Sequence, residues 1–260
     1  MIQKKKLITG TVIYNHMISD GVYQMIIVAS DMGKFIPGQF INIYLNDKSM
    51  LLPRPISISE ADDESVTIVY KVVGKGTGCL SGYKKNETVR ISSPLGNGFD
   101  LGGSYKGRKA ALVAGGIGIP PMIGLAGSLK KSGAEVYAFL GFQSDVFLTE
   151  EFNALCADVF TATDNGSFGF HGNVVELLKN SGTVYDAYFA CGPKAMLKAL
   201  CQYTAKVERN VQVSMEERMG CGYGACVGCA CKIREVSGVK RKRVCIDGPV
   251  FNGRDVVWDE

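Results

Sequence analysis

The chain has 260 residues, 46% apolar and 21% charged, with a formal net charge of +4 at pH 7. That balance belongs to a folded globular protein rather than a disordered one, and so small a charge gives no electrostatic footprint for nucleic acid. No segment approaches the roughly 18 consecutive apolar residues of a membrane helix, and MIQKKKLITGTVIY lacks a signal peptide's apolar stretch, so a cytoplasmic location without membrane attachment is expected.

Residues 1–102 read as strands: TVIYNHMI, YQMIIVA, QFINIYL, SVTIVYKVV and TVRISSPLG are β-rich runs parted by Gly, Asp and Asn turns. Short strands at this spacing, without long helical patterns, predict a small antiparallel β-barrel or sandwich. Arg54-Pro55-Ile56-Ser57 falls between two predicted strands, and Gly74-Lys75-Gly76-Thr77 follows about twenty residues later. An arginine can pair with a pyrophosphate, Ser57 can hydrogen-bond a ring edge, and a Gly-rich turn can offer N–H groups. Taken alone, though, Arg-Pro is an ordinary feature of strand edges.

From residue 103 to 212 the pattern changes to alternating strand and helix, which predicts a doubly wound, parallel α/β sheet. KAALVAGGIGIPPMIGLAGSLKKSG is an apolar strand, a glycine turn and a helix opened by Pro120 and Pro121. EVYAFLGF, DVFTATD and YDAYFACGP continue the strands; EEFNALC, NVVELLKN and KAMLKALCQYTAK continue the helices. At Gly115, Gly116 and Gly118, just before Pro120, bare N–H groups and the positive end of a helix can meet a phosphate. Cys191-Gly192-Pro193 ends a later strand of the same sheet, so both turns are expected to face one crevice. No G-x-G-x-x-G fingerprint with a downstream acid is present.

Residues 213–260 form a third segment, and they hold five of the nine cysteines. Thiols stay reduced in the expected compartment, so metal or redox chemistry is favoured over disulfides. Cys221, Cys226, Cys229 and Cys245 follow the C-x4-C-x2-C…C spacing of plant-type [2Fe–2S] centres. Gly220, Gly222, Gly224 and Gly228 let the loop curl so that N–H groups point at sulfur. Four thiolates also suit a structural zinc site, but the usual second C-x2-C pair is missing. A Rieske centre would need two histidines, and His16 and His171 lie in other segments. Cys231, at the start of a strand, is expected to pack rather than ligate. The basic run Lys240 to Arg243 reads as the solvated end of a hairpin.

These sites, in this order, resemble the ferredoxin reductase-like flavoproteins. RPISI, VYKVVGKGT, AGGIGIPPM, FACGP, EERMGCGYGACVGCACK and CIDGPVF are similar to the electron transfer subunits of class 1B dihydroorotate dehydrogenase, over nearly the whole chain. The resemblance implies an FAD-binding barrel (1–102), an NAD-binding α/β domain (103–212) and a [2Fe–2S] domain (213–260). By the same resemblance Arg54, Pro55, Ile56 and Ser57 contact the flavin, with Val69, Tyr70 and Lys71 on the next flavin-contacting strand. Gly76 and Thr77 match the pyrophosphate turn. Gly115, Gly116, Gly118, Pro120, Cys191, Gly192 and Pro193 fall on the nicotinamide nucleotide site, and the four cysteines named above on the cluster. Ile56 stands where the wider group commonly has tyrosine, in keeping with the narrower family.

Gln143-Ser144-Asp145, after the second α/β strand, supplies no cation for a 2′-phosphate, which favours NAD over NADP. The implied reaction carries electrons from the FMN of a separate catalytic subunit through the cluster and FAD to NAD+, in pyrimidine biosynthesis. The implied assembly is a heterotetramer, two of each subunit. A flavin exchanges both single electrons and hydride, so no acid–base constellation is needed, and no catalytic residue is assigned. Two other readings compete: a reductase subunit of a ferredoxin:NADP oxidoreductase or sulfhydrogenase-type complex, and a zinc-stabilised flavin-binding module without electron transfer.

Overall fold

The computed structural model describes residues 5–47 and 49–258, so the first four residues of the N-terminal stretch lie outside it. Six antiparallel strands, β1 (Leu7–Ser19), β2 (Val22–Val28), β3 (Phe40–Tyr44), β4 (Arg54–Ala61), β5 (Ser65–Lys71) and β6 (Thr88–Ser92), close a barrel in the order β1-β2-β5-β4-β3-β6. Alternation sets its core: Val12, Met25, Ile27, Ile41, Ile43, Ile58, Ile68 and Ile91 point inward and are fully buried. A short helix, α1 (Lys75–Ser81), lies between β5 and β6.

Arg54 to Ser57 are not a connecting turn but the first half of β4, and Gly74 to Thr77 run into α1. Proline usually marks a strand edge because it has no N–H to give. Pro55 obeys that rule locally: residues 54 to 57 pair only with β3, and β4 joins β5 from Ile58 onward.

The second unit is a seven-stranded sheet. Its strands are β7 (Lys109–Gly115), β8 (Glu135–Phe142), β9 (Asp158–Thr163), β10 (Phe170–His171), β11 (Ala187–Cys191), β12 (Val211–Ser214) and β15 (Val250–Asn252). Their order is β10-β9-β8-β7-β11-β12-β15, parallel except for β15. Helices α2 (Pro121–Lys131) and α3 (Thr149–Leu155) cover one face; α4 (Val174–Asn180) and α5 (Lys194–Lys206) cover the other. In β7 this splits alternate residues between two cores, Ala110, Leu112 and Ala114 on one side, Ala111 and Val113 on the other. The chain order reverses between β7 and β11, the switch point at which open α/β sheets bind ligands.

Between β12 and β15 the chain leaves the sheet to form the cysteine loop and a hairpin of β13 (Ala230–Glu235) and β14 (Gly238–Arg243). The sequence boundary at 212/213 therefore falls inside β12, and the cysteine segment is an excursion from the sheet. Ser59 Oγ donates to the carbonyl of Pro120 at 2.9 Å, joining the barrel to the start of α2. Asn97 exchanges two hydrogen bonds with Val250, and Gln212 two with Asp100, tying the linker to β12 and β15. Among the described residues no helix is long and apolar enough to cross a membrane.

Candidate functional site

The stretch of β4 without a β5 partner opens a slot in the barrel wall. Opposite it, Val69, Tyr70 and Lys71 pair with β2 and leave their other edge free. This splay places Arg54, Pro55, Ile56, Ser57, Val69, Tyr70, Lys71 and Thr77 around one cavity of about 570 Å³. The cavity runs on to Gly115, Gly116, Gly118, Cys191, Gly192 and Pro193, so the barrel and sheet motifs line a single space. Pro120 is buried at the head of α2, beneath that wall. Phe40, Met215, Glu216, Glu217, Met219 and Pro249 also line it, and sequence reasoning had not singled them out.

The slot fits a flavin nucleotide by its charge and its clearances. Arg54 is held by its own loop, donating to the carbonyl of Leu52 at 2.8 Å, and no carboxylate pairs with it among the described residues. Its guanidinium lies over Gly76: a Cβ there would strike Nε and Cζ and sit 2.6 Å from Nη2. Thr77 Oγ1 accepts from the N–H groups of Val73 at 3.0 Å and Gly74 at 3.3 Å, fixing the entry to α1. A cation poised over a bare glycine backbone is what a pyrophosphate requires. Gly76→Ala should keep the fold, because the colliding atoms end a flexible side chain, yet displace the guanidinium. Loss of a charged hydrogen bond worth about 1.5–3 kcal/mol predicts roughly ten- to hundredfold weaker FAD binding, measurable by flavin release on dilution.

A second cavity of about 390 Å³ shares Lys71, Gly115, Gly116 and Pro193 with the first. Its far side holds Gln143, Ser144, Asp145, Asp164 and Asn173, and the barrel contributes Ser19 and Asp20. Three carboxylates and one lysine line it, which disfavours an extra phosphate and suits NAD. The two turns at the switch point interlock: a Cβ on Gly118 would strike the carbonyl oxygen of Cys191 and lie 2.6 Å from the Gly192 nitrogen. Burial pushes the Cys191 thiol up to about 12, against a hydrogen bond with Ser214, so it lines the site as a neutral thiol.

The cysteine loop packs beside these cavities. Antiparallel pairing sets Ala230 opposite Arg243, and Val244 N–H donates to the Cys229 carbonyl at 2.9 Å. The hairpin thereby carries Cys245 back beside Cys229. At the other end of the loop Cys226 N–H donates to Cys221 Sγ at 3.4 Å. Burial resists a charge on Cys221, but N–H groups of Cys226, Tyr223 and Ala225 and the Cys226 side chain bring its pKa down to about 6. Burial, with the Cys229 thiol beside it, pushes Cys245 up to about 12.

The four thiols thus stand as two adjacent pairs, 221 with 226 and 229 with 245. Among the described residues no three side chains of the metal-ligating types converge on one point. The donor set, its N–H groups aimed at sulfur and its left-handed Gly222 (φ 74°) and Gly224 (φ 88°) fit the cluster. Cys231 is buried in β13, in the same core as α5, and burial first, then Glu217, raises its thiol to about 11.

Residues 216–257 match the family described as the iron–sulfur cluster binding domain of dihydroorotate dehydrogenase B. Curated relatives extend the likeness to the whole chain. The dihydroorotate dehydrogenase B (NAD(+)) electron transfer subunit of Caldanaerobacter subterraneus subsp. tengcongensis is 40% identical, covering 95% of this chain and 97% of its own. The subunit of the same name from Streptococcus mutans is 37% identical over 100% of both. Among solved structures, that of an NADH-dependent reduced ferredoxin-NADP oxidoreductase superposes with a TM-score of 0.84 at 26% identity. The match spans 96% of this chain and 90% of that one. A ferredoxin NADP+ reductase from Neisseria gonorrhoeae with bound FAD and NADP shares the fold, with a TM-score of 0.63 at 17% identity over 77% and 91% of the two chains.

Proposed function

The chain belongs to the family of dihydroorotate dehydrogenase B electron transfer subunits, and from that premise we propose how its sites divide the work. It is an oxidoreductase subunit that uses FAD, an iron–sulfur cluster and NAD in pyrimidine biosynthesis. The observation that carries the division of labour is the shared wall: Gly115, Gly116, Pro193 and Lys71 border both nucleotide cavities.

Arg54 and the α1 entry at Gly76 and Thr77 hold the FAD pyrophosphate. Pro55, Ile56, Ser57, Val69 and Tyr70 grip the ring in the splayed slot. The glycine turn at 115 to 118 and Cys191-Gly192-Pro193 seat the nicotinamide nucleotide against the flavin, and Cys221, Cys226, Cys229 and Cys245 hold the cluster. The flavin supplies the exchange between single electrons and hydride. The protein's own part is to hold two nucleotides face to face and to exclude water between them. Asp145 and Asp164 select NAD by repelling a 2′-phosphate.

The family name implies a catalytic partner subunit, and we assign it an FMN, with an assembly of two copies of each chain in the cytoplasm. The exposed apolar rim of Tyr223, Val227 and Ile246 beside the exposed Cys226 supports docking on the cluster face. A second reading, a subunit of a ferredoxin:NADP oxidoreductase or sulfhydrogenase-type complex, draws on the 0.84 superposition. Co-expression with an FMN-containing dihydroorotate dehydrogenase subunit separates the two. Dihydroorotate-dependent NAD+ reduction far above that of the FMN subunit alone is expected; no stimulation would favour the second reading.

A further inference from the structure

Asn42 is a buried polar residue on an otherwise apolar strand, in the run Phe40-Ile41-Asn42-Ile43 of β3, and only 1% of it is exposed. Burying an amide is costly unless its hydrogen bonds are put to use. Ile41 and Ile43 fill the barrel interior, so by strand alternation Phe40 and Asn42 face outward. Phe40 packs in the core that contains Cys229 and Cys245 and also lines the flavin cavity. Asn42 therefore lies on the barrel wall between the flavin slot and the cysteine loop, and in register it pairs with Pro55 of the flavin motif.

Its side chain reaches across that boundary. Asn42 Nδ2 donates to the carbonyl of Cys221 at 2.9 Å, a contact between residues 179 positions apart. Among the described residues it is the one hydrogen bond from the barrel to residues 220 to 229. The backbone of Asn42 is fixed in turn, its N–H donating to the buried Ser92 Oγ at 2.9 Å. The next loop residue is fitted to the amide: Gly222 has φ 74°, and a Cβ there would lie 2.5 Å from both Nδ2 and Oδ1 of Asn42. Oδ1 itself has no hydrogen-bond partner among the described residues. The amide is thus kept buried for its donor side, at the expense of its acceptor.

We propose that Asn42 is the positioning residue for the cluster's first ligand, holding Cys221 against the flavin wall of the barrel and setting the polarity around the cluster's sulfurs. This rests on the reading of Cys221 as a ligand. A hydrogen bond to the ligand's own carbonyl orients the Cys221 peptide, and the dipoles around the sulfurs tune the potential of a bound cluster. Partners of this kind are typically worth 10- to 100-fold in metal retention.

The test uses the full-length, cluster-loaded protein. Asn42→Leu, close in volume but without a donor, should keep FAD and iron after anaerobic purification. It should lose iron to a chelator roughly ten times faster or more, with a shifted cluster midpoint potential in an EPR-monitored titration. An unchanged potential together with an unchanged chelation rate would overturn the proposal. Gly222→Ala attacks the same contact from the loop side, and its effect on the potential should be smaller in an Asn42→Ala background, where the amide it strikes is gone. Equal effects in both backgrounds would count against the contact. Should Asn42→Leu fail to fold, Gly222→Ala compared in the parent and Asn42→Ala backgrounds decides, a smaller shift in the Asn42→Ala background supporting the proposal and equal shifts overturning it. Cys221→Ala separates the underlying reading: full iron in that variant would remove Cys221 from the ligand set, whatever Asn42 does.

Discussion

Gly118→Ala is expected to weaken NAD(H) binding by roughly ten- to hundredfold while leaving the barrel folded. The added Cβ would meet the carbonyl oxygen of Cys191, and it would lie 2.5 Å from the Cys191 carbonyl carbon and 2.6 Å from the Gly192 nitrogen. These are backbone atoms at the end of β11, held in register with β7 on one side and β12 on the other, so they cannot swing aside as a side chain would. Overpacking of this kind costs about 1–3 kcal/mol. The cost falls on the turn that must stay closed for both phosphate-facing loops to meet one ligand. Flavin reduction by NADH should need a concentration roughly ten- to hundredfold higher, with FAD still bound in the purified protein. Gly115→Ala offers a milder comparison, because its Cβ would meet the side chains of Met196 and Pro193 at 2.9 and 3.0 Å.

Cys245→Ser should lose the cluster altogether, although Cys245 lies sixteen positions after Cys229 and outside the glycine loop. The hairpin register and the Val244-to-Cys229 hydrogen bond deliver its thiol to that of Cys229, in a pocket 1% exposed. A serine hydroxyl does not ionise near neutral pH as a thiol does, and one iron would be left with a single protein thiolate. Iron content should fall from about two per chain to near zero, with FAD retained. Cys231→Ser is the control. It is buried like Cys245, but it lies within β13 in register with Lys242 and outside the C-x4-C-x2-C…C spacing, so iron content should stay at the parent level with only a loss of stability. Loss of iron in Cys231→Ser, or its retention in Cys245→Ser, would change the ligand set.

Much of this was legible in the sequence because local chemistry and global fold agree. The alternation in QFINIYL and SVTIVYKVV declares strands, and a glycine turn ahead of Pro120-Pro121 declares a helix after a strand. The cysteine spacing pointed to Cys245 as a distant fourth thiol, and the hairpin returns residue 245 to the neighbourhood of residue 229. What misled was Arg54 to Ser57. Its place between two strand-like runs and its proline read as a turn, yet the segment is a strand whose second edge is left open, and the alternation of Ile56-Ser57-Ile58-Ser59 was the local signal for it. Gly74 to Thr77 misled in the same way, because a seven-residue helix opened by glycines carries little helical periodicity.

The rest depends on contacts made far along the chain. That β15 returns to the sheet beside β12, leaving the cysteine loop as an excursion, follows from pairing that a three-residue strand cannot announce. Asn42 had a faint signal, a polar residue alternating with isoleucines, but its partner lies 179 residues away. Phe40 and Met219 enter the flavin cavity only through packing between units, whereas Asp164 enters the second cavity from the carboxyl end of β9.

This chain joins NAD to an iron–sulfur centre through a flavin. Anaerobic titration of the purified, cofactor-loaded protein with NADH, followed by visible absorption and EPR with iron and zinc determined on the same sample, tests it directly. The predicted result is about two irons and one FAD per chain, bleaching of the flavin and cluster bands together, and a reduced-cluster EPR signal. Zinc in place of iron, or a flavin that bleaches while no cluster signal appears, would contradict it.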